Sequence, residues 1–106
     1  MPVEWHDVGA VTDVGEDDPL SVTVEGKAVG VFRVGDDLYA IEDVCPHADA
    51  LLSEGFVDGD EVQCALHGAV FHIPTGRCLM APADRDLATY DVKVEAGHVL
   101  VRRSGA

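Results

Sequence analysis

An all-β domain is what the sequence predicts, and three observations predict it. Short runs rich in Val, Ile, Phe and Tyr alternate with turn residues along almost the whole chain, no window keeps the three-and-four spacing of an amphipathic helix for three turns, and turn signals recur between the runs. Ten runs read as strands, at residues 3–8, 21–24, 27–34, 38–44, 56–57, 61–64, 70–72, 77–79, 87–94 and 98–102. "EG" at Glu25, "VGDD" at Val34, "DG" at Asp58, "PTG" at Pro74 and "EAG" at Glu95 separate neighbouring runs, and each favours an antiparallel hairpin. Ten short strands in 106 residues imply a small antiparallel barrel or sandwich, closed enough to hide its edges. "GEDDPL" reads as a polar loop and "RSGA" as a frayed end.

A chain of 106 residues holds one core and leaves no room for a second catalytic module. Its apolar residues, 47% of the total, never approach the eighteen or so consecutive positions of a membrane helix. "MPVEWHDVGA" lacks the basic opening and apolar stretch of a secretory signal, so the expected compartment is the cytoplasm. Three cysteines suit metal ligation with one spare thiol better than a disulfide framework. The net charge of -13 speaks against nucleic acid and anionic membranes as partners and for a basic protein surface. The charge is uneven: residues 34–76 hold no Lys or Arg, yet contain Asp36, Asp37, Glu42, Asp43, Asp49, Glu54, Asp58, Asp60 and Glu61. These carboxylates are expected at the surface, where they aid solubility or steer a partner.

The chemistry sits in two short stretches. "CPH" offers Cys45 and His47 after the strand-like "LYAIEDV", and "CALHG" offers Cys64 and His67. Sixteen residues separate His47 from Cys64, and the "GFVDGDEV" hairpin among them can fold back so that both loops meet at one site. Thiolates suit zinc or iron-sulfur clusters, and imidazole accepts either, so ligand type leaves both open. The pairing pattern discriminates better. Many zinc fingers take two like ligands from each arm, whereas here each arm is mixed, which suits a two-iron cluster with sulfur on one iron and nitrogen on the other. Iron-sulfur is favoured, with a structural zinc domain for protein interaction as the alternative.

C-x-H, sixteen residues, then C-x-x-H-G resembles the signature of Rieske [2Fe-2S] proteins. The following "FHIPTGRCLMAPADRDLATYDVKVEAGHVLV" is similar to the distal part of the Rieske ferredoxins that serve multicomponent aromatic-ring dioxygenases. The resemblance covers nearly the whole chain. It implies one Rieske domain over residues 1–106, with a cluster-binding part at about 44–83 inserted in a basal β domain. By position it implies that Cys45 and Cys64 hold the inner iron and His47 and His67 the outer iron, with residues 80–83 covering the cluster from a third side. It further implies an electron carrier, not an enzyme, that takes electrons from an NADH-dependent flavoprotein ferredoxin reductase and passes them to a terminal Rieske oxygenase. A small subunit of a nitrite reductase is the alternative within the same resemblance, disfavoured because all four ligands are present.

Rieske proteins of the respiratory complexes resemble this chain around the ligands but carry Ser and Tyr where Ala69 and Phe71 stand here. Hydroxyls bonded to cluster sulfur stabilise the reduced state, so their loss lowers the potential. Those relatives also staple the two loops with a disulfide, whereas the matching positions here are Ala50 and Leu66. A potential near the low end of the Rieske range, roughly -150 mV or somewhat above, is the expectation. The remaining candidates have plainer readings. Cys78 is expected as a half-buried strand residue, His72 as a satisfied polar strand residue, and His6 and His98 as solvent-side hydrogen bonders. Trp5 is expected to anchor the first strand, and Gly55 and Gly68 to allow close backbone wrapping.

Overall fold

A computed structural model describes residues 4–15, 18–45, 50–65, 68–80 and 85–103. The strands, in chain order, are β1 His6–Ala10, β2 Leu20–Val24, β3 Lys27–Val34, β4 Asp37–Glu42, β5 Phe56–Asp58, β6 Glu61–Gln63, β7 Val70–His72, β8 Cys78–Met80, β9 Thr89–Glu95 and β10 His98–Arg103. Single 3-10 turns stand at Val11–Asp13 and Leu52–Glu54. The all-β expectation holds, and all ten expected runs carry strand.

Local sequence explains the hairpins. Register pairs Val24 with Lys27 and Glu95 with His98, leaving two-residue turns at Glu25–Gly26 and Ala96–Gly97. All four turn residues have positive φ, at 51° and 81° in the first and 51° and 79° in the second. Two such residues in succession make the turn whose twist matches paired strands, and glycine at the second position lowers its cost. Val34 pairs with Asp37 and Asp58 with Glu61 across equally short links.

Six strands form one antiparallel sheet in the order β1-β10-β9-β4-β3-β2, and four form a smaller one in the order β5-β6-β7-β8. The small sheet is inserted in the chain between β4 and β9. The first strand begins three residues later than expected, at His6, and runs on to Ala10 with a bulge between Asp7 and Gly9. Two residues expected in the ninth strand stay outside the ladder. Leu87 is buried and donates its N–H to the Gly76 carbonyl at 2.7 Å, while the Ala88 carbonyl accepts from Glu42 N–H at 2.8 Å.

Strand β3 shows why two sheets are needed. Val29, Gly30, Val31 and Phe32 are buried in succession, so both faces of this strand are covered. Alternation sends Val29 and Val31 into one apolar cluster, with Val14, Val24, Ala40, Val99 and Val101. Phe32 points the other way, into a second cluster with Ile41, Leu52, Val62, Phe71, Ile73 and Leu87. The large sheet thus packs one core within itself and shares the other with the small sheet. Cys45 and Cys64 belong to the shared core.

Candidate metal centre

Cys45 follows β4 and is 2% exposed; Cys64 follows β6 and is 1% exposed. Different sheets therefore feed the two thiols into one core. The first loop is closed at its base by the Cys45 N–H to Ala50 carbonyl bond at 2.9 Å, a Val44–Leu51 bridge and the Leu52 N–H to Asp43 carbonyl bond at 2.6 Å. The second is the β6–β7 connection. Cys64 N–H donates to the Ala69 carbonyl at 2.8 Å, and Gly68 N–H donates back to the Cys64 carbonyl at 3.0 Å. Gly68 sits at φ +75°, a conformation that a side chain strains. Gly55 has a different reason: a Cβ there would collide with the Gln63 carbonyl oxygen.

The other half of the expected ligand set, His47 and His67, lies outside the described residues, as do Leu66 and residues 81–83 of the expected covering loop. Met80, which opens that loop, ends β8 and is 57% exposed. Among the described residues no three His, Cys, Asp or Glu side chains converge as a metal site. The donor chemistry nevertheless fits a sulfur-bridged cluster. Two thiols share one apolar core, where soft metal ligation suits them better than solvent reactivity. Ala69 and Phe71 share that core, are both 0% exposed, and bring no hydroxyl to it.

The charge pattern needs one correction. Asp43, expected at the surface with the other carboxylates, is fully buried, the one buried polar or charged residue among those described. Burial raises its carboxyl above the usual aspartate range, against the opposing hydrogen bonds from Ser53 and Ser21. Its position between apolar Ile41 and Val44 was the available signal, but charge runs are normally solvated. Its neighbour Glu42 is held below the usual glutamate range, first by the hydrogen bonds of Arg85, whose Nη2 and Nη1 lie 2.7 and 3.0 Å from the two carboxylate oxygens. Ala88 N–H adds a bond at 3.1 Å.

The plainer readings hold. His72 meets Asp60 Oδ2 at 3.0 Å through Nε2 and Thr75 Oγ1 at 2.8 Å through Nδ1. Both ring nitrogens of His72 are thus engaged by side chains of its own small sheet and turn. His6 bonds Glu25 at 3.2 Å and His98 bonds Asp7 at 3.2 Å, both at the surface. Cys78 opens β8 half-buried. Trp5 precedes the first strand, with the Lys93 ammonium 4.5 Å and the Arg102 guanidinium 4.4 Å from its ring centre.

Comparison with known proteins agrees with this picture. The family model for the Rieske [2Fe-2S] domain matches residues 4–91. The ferredoxin component of the naphthalene 1,2-dioxygenase system of Pseudomonas aeruginosa is 40% identical, over 95% of this chain and 97% of that protein. The anthranilate 1,2-dioxygenase ferredoxin subunit of Burkholderia cepacia is 39% identical, over 92% of this chain and 91% of its own. A solved complex of reduced oxygenase and oxidized ferredoxin in carbazole 1,9a-dioxygenase contains a chain that superposes with a TM-score of 0.86. It is 38% identical, with 92% of each chain covered.

Proposed function

This chain belongs to the Rieske [2Fe-2S] domain family, and on that premise we propose that it carries single electrons from an NADH-dependent flavoprotein reductase to a terminal ring-hydroxylating oxygenase. The observation that carries the proposal is the pair of buried thiols, Cys45 and Cys64, delivered to one core from two sheets. Cys45 and Cys64 are assigned to the inner iron and His47 and His67 to the outer iron, within a cluster-binding part spanning about 44–83. When bound, the cluster accepts and releases one electron, and the family match favours it over the zinc alternative. The protein's own contribution is to exclude water from the sulfur side and to present the imidazole side to partners. No substrate chemistry is assigned to the chain, because its relatives are named as ferredoxin components and subunits. The same names favour the dioxygenase role over a nitrite reductase subunit.

A transient partner fits the charge. The net charge of -13 and the cation-free stretch at 34–76 suit docking against basic patches on both partners. No helix among the described residues is long and apolar enough to cross a membrane.

The test is the EPR spectrum of the dithionite-reduced protein. Mixed sulfur and nitrogen ligation should give an average g below the free-electron value, and His47→Ala or His67→Ala should abolish it. Colourless protein whose elemental analysis returns only zinc overturns the proposal.

A further inference from the structure

We propose that Asp43 is a positioning residue that clamps the base of the loop carrying Cys45 and His47, keeping that loop shaped to retain the cluster. The inference rests on the reading of those two residues as ligands. Asp43 uses both its backbone and its side chain, and it binds three separate parts of the fold. Its N–H donates to the Ala28 carbonyl of β3 at 3.0 Å, and its carbonyl accepts from Leu52 N–H at 2.6 Å. Its Oδ1 accepts from Ser53 N–H at 2.7 Å, and its Oδ2 accepts from the Ser53 hydroxyl at 2.6 Å and the Ser21 hydroxyl at 3.0 Å. Ser21 lies in β2 of the large sheet, whereas Ser53 lies in the 3-10 turn that leads out of the ligand loop.

The backbone is cut away to receive this carboxylate. A Cβ on Gly30 would lie 2.9 Å from Asp43 Oδ1 and 2.7 Å from Phe32 Cε1, so only glycine leaves the seat open. A buried carboxylate costs solvation free energy, which its three donors offset. What the arrangement achieves is closure. Residues 43–45 and 50–53, the two ends of the loop, are bonded to each other and to β2 and β3 by hydrogen bonds between protein groups. The loop's ends therefore do not have to be ordered by the metal, which lowers the entropy cost of holding it.

The experiment follows bleaching of the holoprotein's visible absorbance in excess chelator, alongside its thermal unfolding midpoint. Asp43→Ala should bleach about tenfold faster or more, as loss of a ligand-supporting contact does. Ser53→Ala, which removes only one of the five bonds, should fall between it and the parent, and carries the test if Asp43→Ala does not fold. Asp43→Asn should bleach within a small factor of the parent. Its amide oxygen still accepts from Ser53 N–H, and a serine hydroxyl can turn to accept from the amide. Val99→Ala, in the other core, should lower the unfolding midpoint without hastening bleaching. The clamp is overturned if Ser53→Ala and every folded Asp43 variant bleach like the parent, if Asp43→Asn bleaches as fast as Ser53→Ala or faster, or if Val99→Ala bleaches as they do. A parent protein that never gains a visible spectrum removes the ligand reading, and the clamp with it.

Discussion

Ala69 and Phe71 occupy fully buried positions in the same core as both candidate cysteine ligands, and neither brings a hydroxyl to it. Neither side chain can donate a hydrogen bond, so with the cluster held as proposed its electron-rich reduced state would go without that help. Ala69→Ser combined with Phe71→Tyr should move the midpoint, measured by voltammetry at neutral pH, upward from the low end of a range that spans about -150 to +300 mV. A stability measurement makes the outcome decisive. If the new hydroxyls do not reach sulfur, the variant should lose about 1–3 kcal/mol per unsatisfied group and keep its potential. A parent midpoint well above zero contradicts the missing-hydroxyl argument itself.

Among elements, the two connections around the small sheet depend on glycine for different reasons, and their substitutions should differ accordingly. Gly68→Ala asks an alanine to sit at φ +75° with its nearest neighbour, the Gln63 side-chain amide, at 3.4 Å, a strain of about 1 kcal/mol. Gly55→Ala drives a methyl into the Gln63 backbone, which cannot swing aside, so it should cost clearly more in a urea midpoint measurement. The β4 end supplies a pH test. The Glu42 carboxyl, held below its ordinary value of 4.5 chiefly by Arg85, contributes stability that is present above 4.5 and lost as pH falls through the lower folded value. Glu42→Gln should therefore flatten the acid limb of the stability curve. The effect should be no more than about 1 kcal/mol, because Arg85 is 54% exposed. Asp43 acts with the opposite sign. Its raised carboxyl adds stability that is full below its ordinary 3.8 and lost as pH rises through the folded value.

For the molecule as a whole, several cations already have nearby partners. Arg85 pairs with Glu42, Lys93 with Glu95 and Arg102 with Asp91, while Arg33 bonds the Val14 and Val11 carbonyls. With a net charge of -13, acidic side chains still far outnumber these cations. Electron transfer to a basic partner should slow as ionic strength rises from about 0.01 to 0.15 M, where the screening length shrinks from about 30 to 8 Å. Stopped-flow rates that stay flat over that interval remove the steering part of the proposal.

Much of this protein was legible residue by residue. Period-two alternation and glycine turns located the strands because strand pairing and hairpin closure are local effects of backbone sterics. The spacing of Cys45, His47, Cys64 and His67 located the candidate centre because metal ligation demands particular atoms at reachable separations. Other features depended on residues far apart in the chain. Asp43 meets Ser21 across 22 positions, and Glu42 meets Arg85 across 43. The apolar neighbours Ile41 and Val44 hint at burial but do not single out Asp43, because Glu42 lies between the same two residues and stays partly exposed. Local chemistry determined the elements and the ligand types; tertiary packing alone decided which charges left water, because burial is a property of what the rest of the chain places overhead.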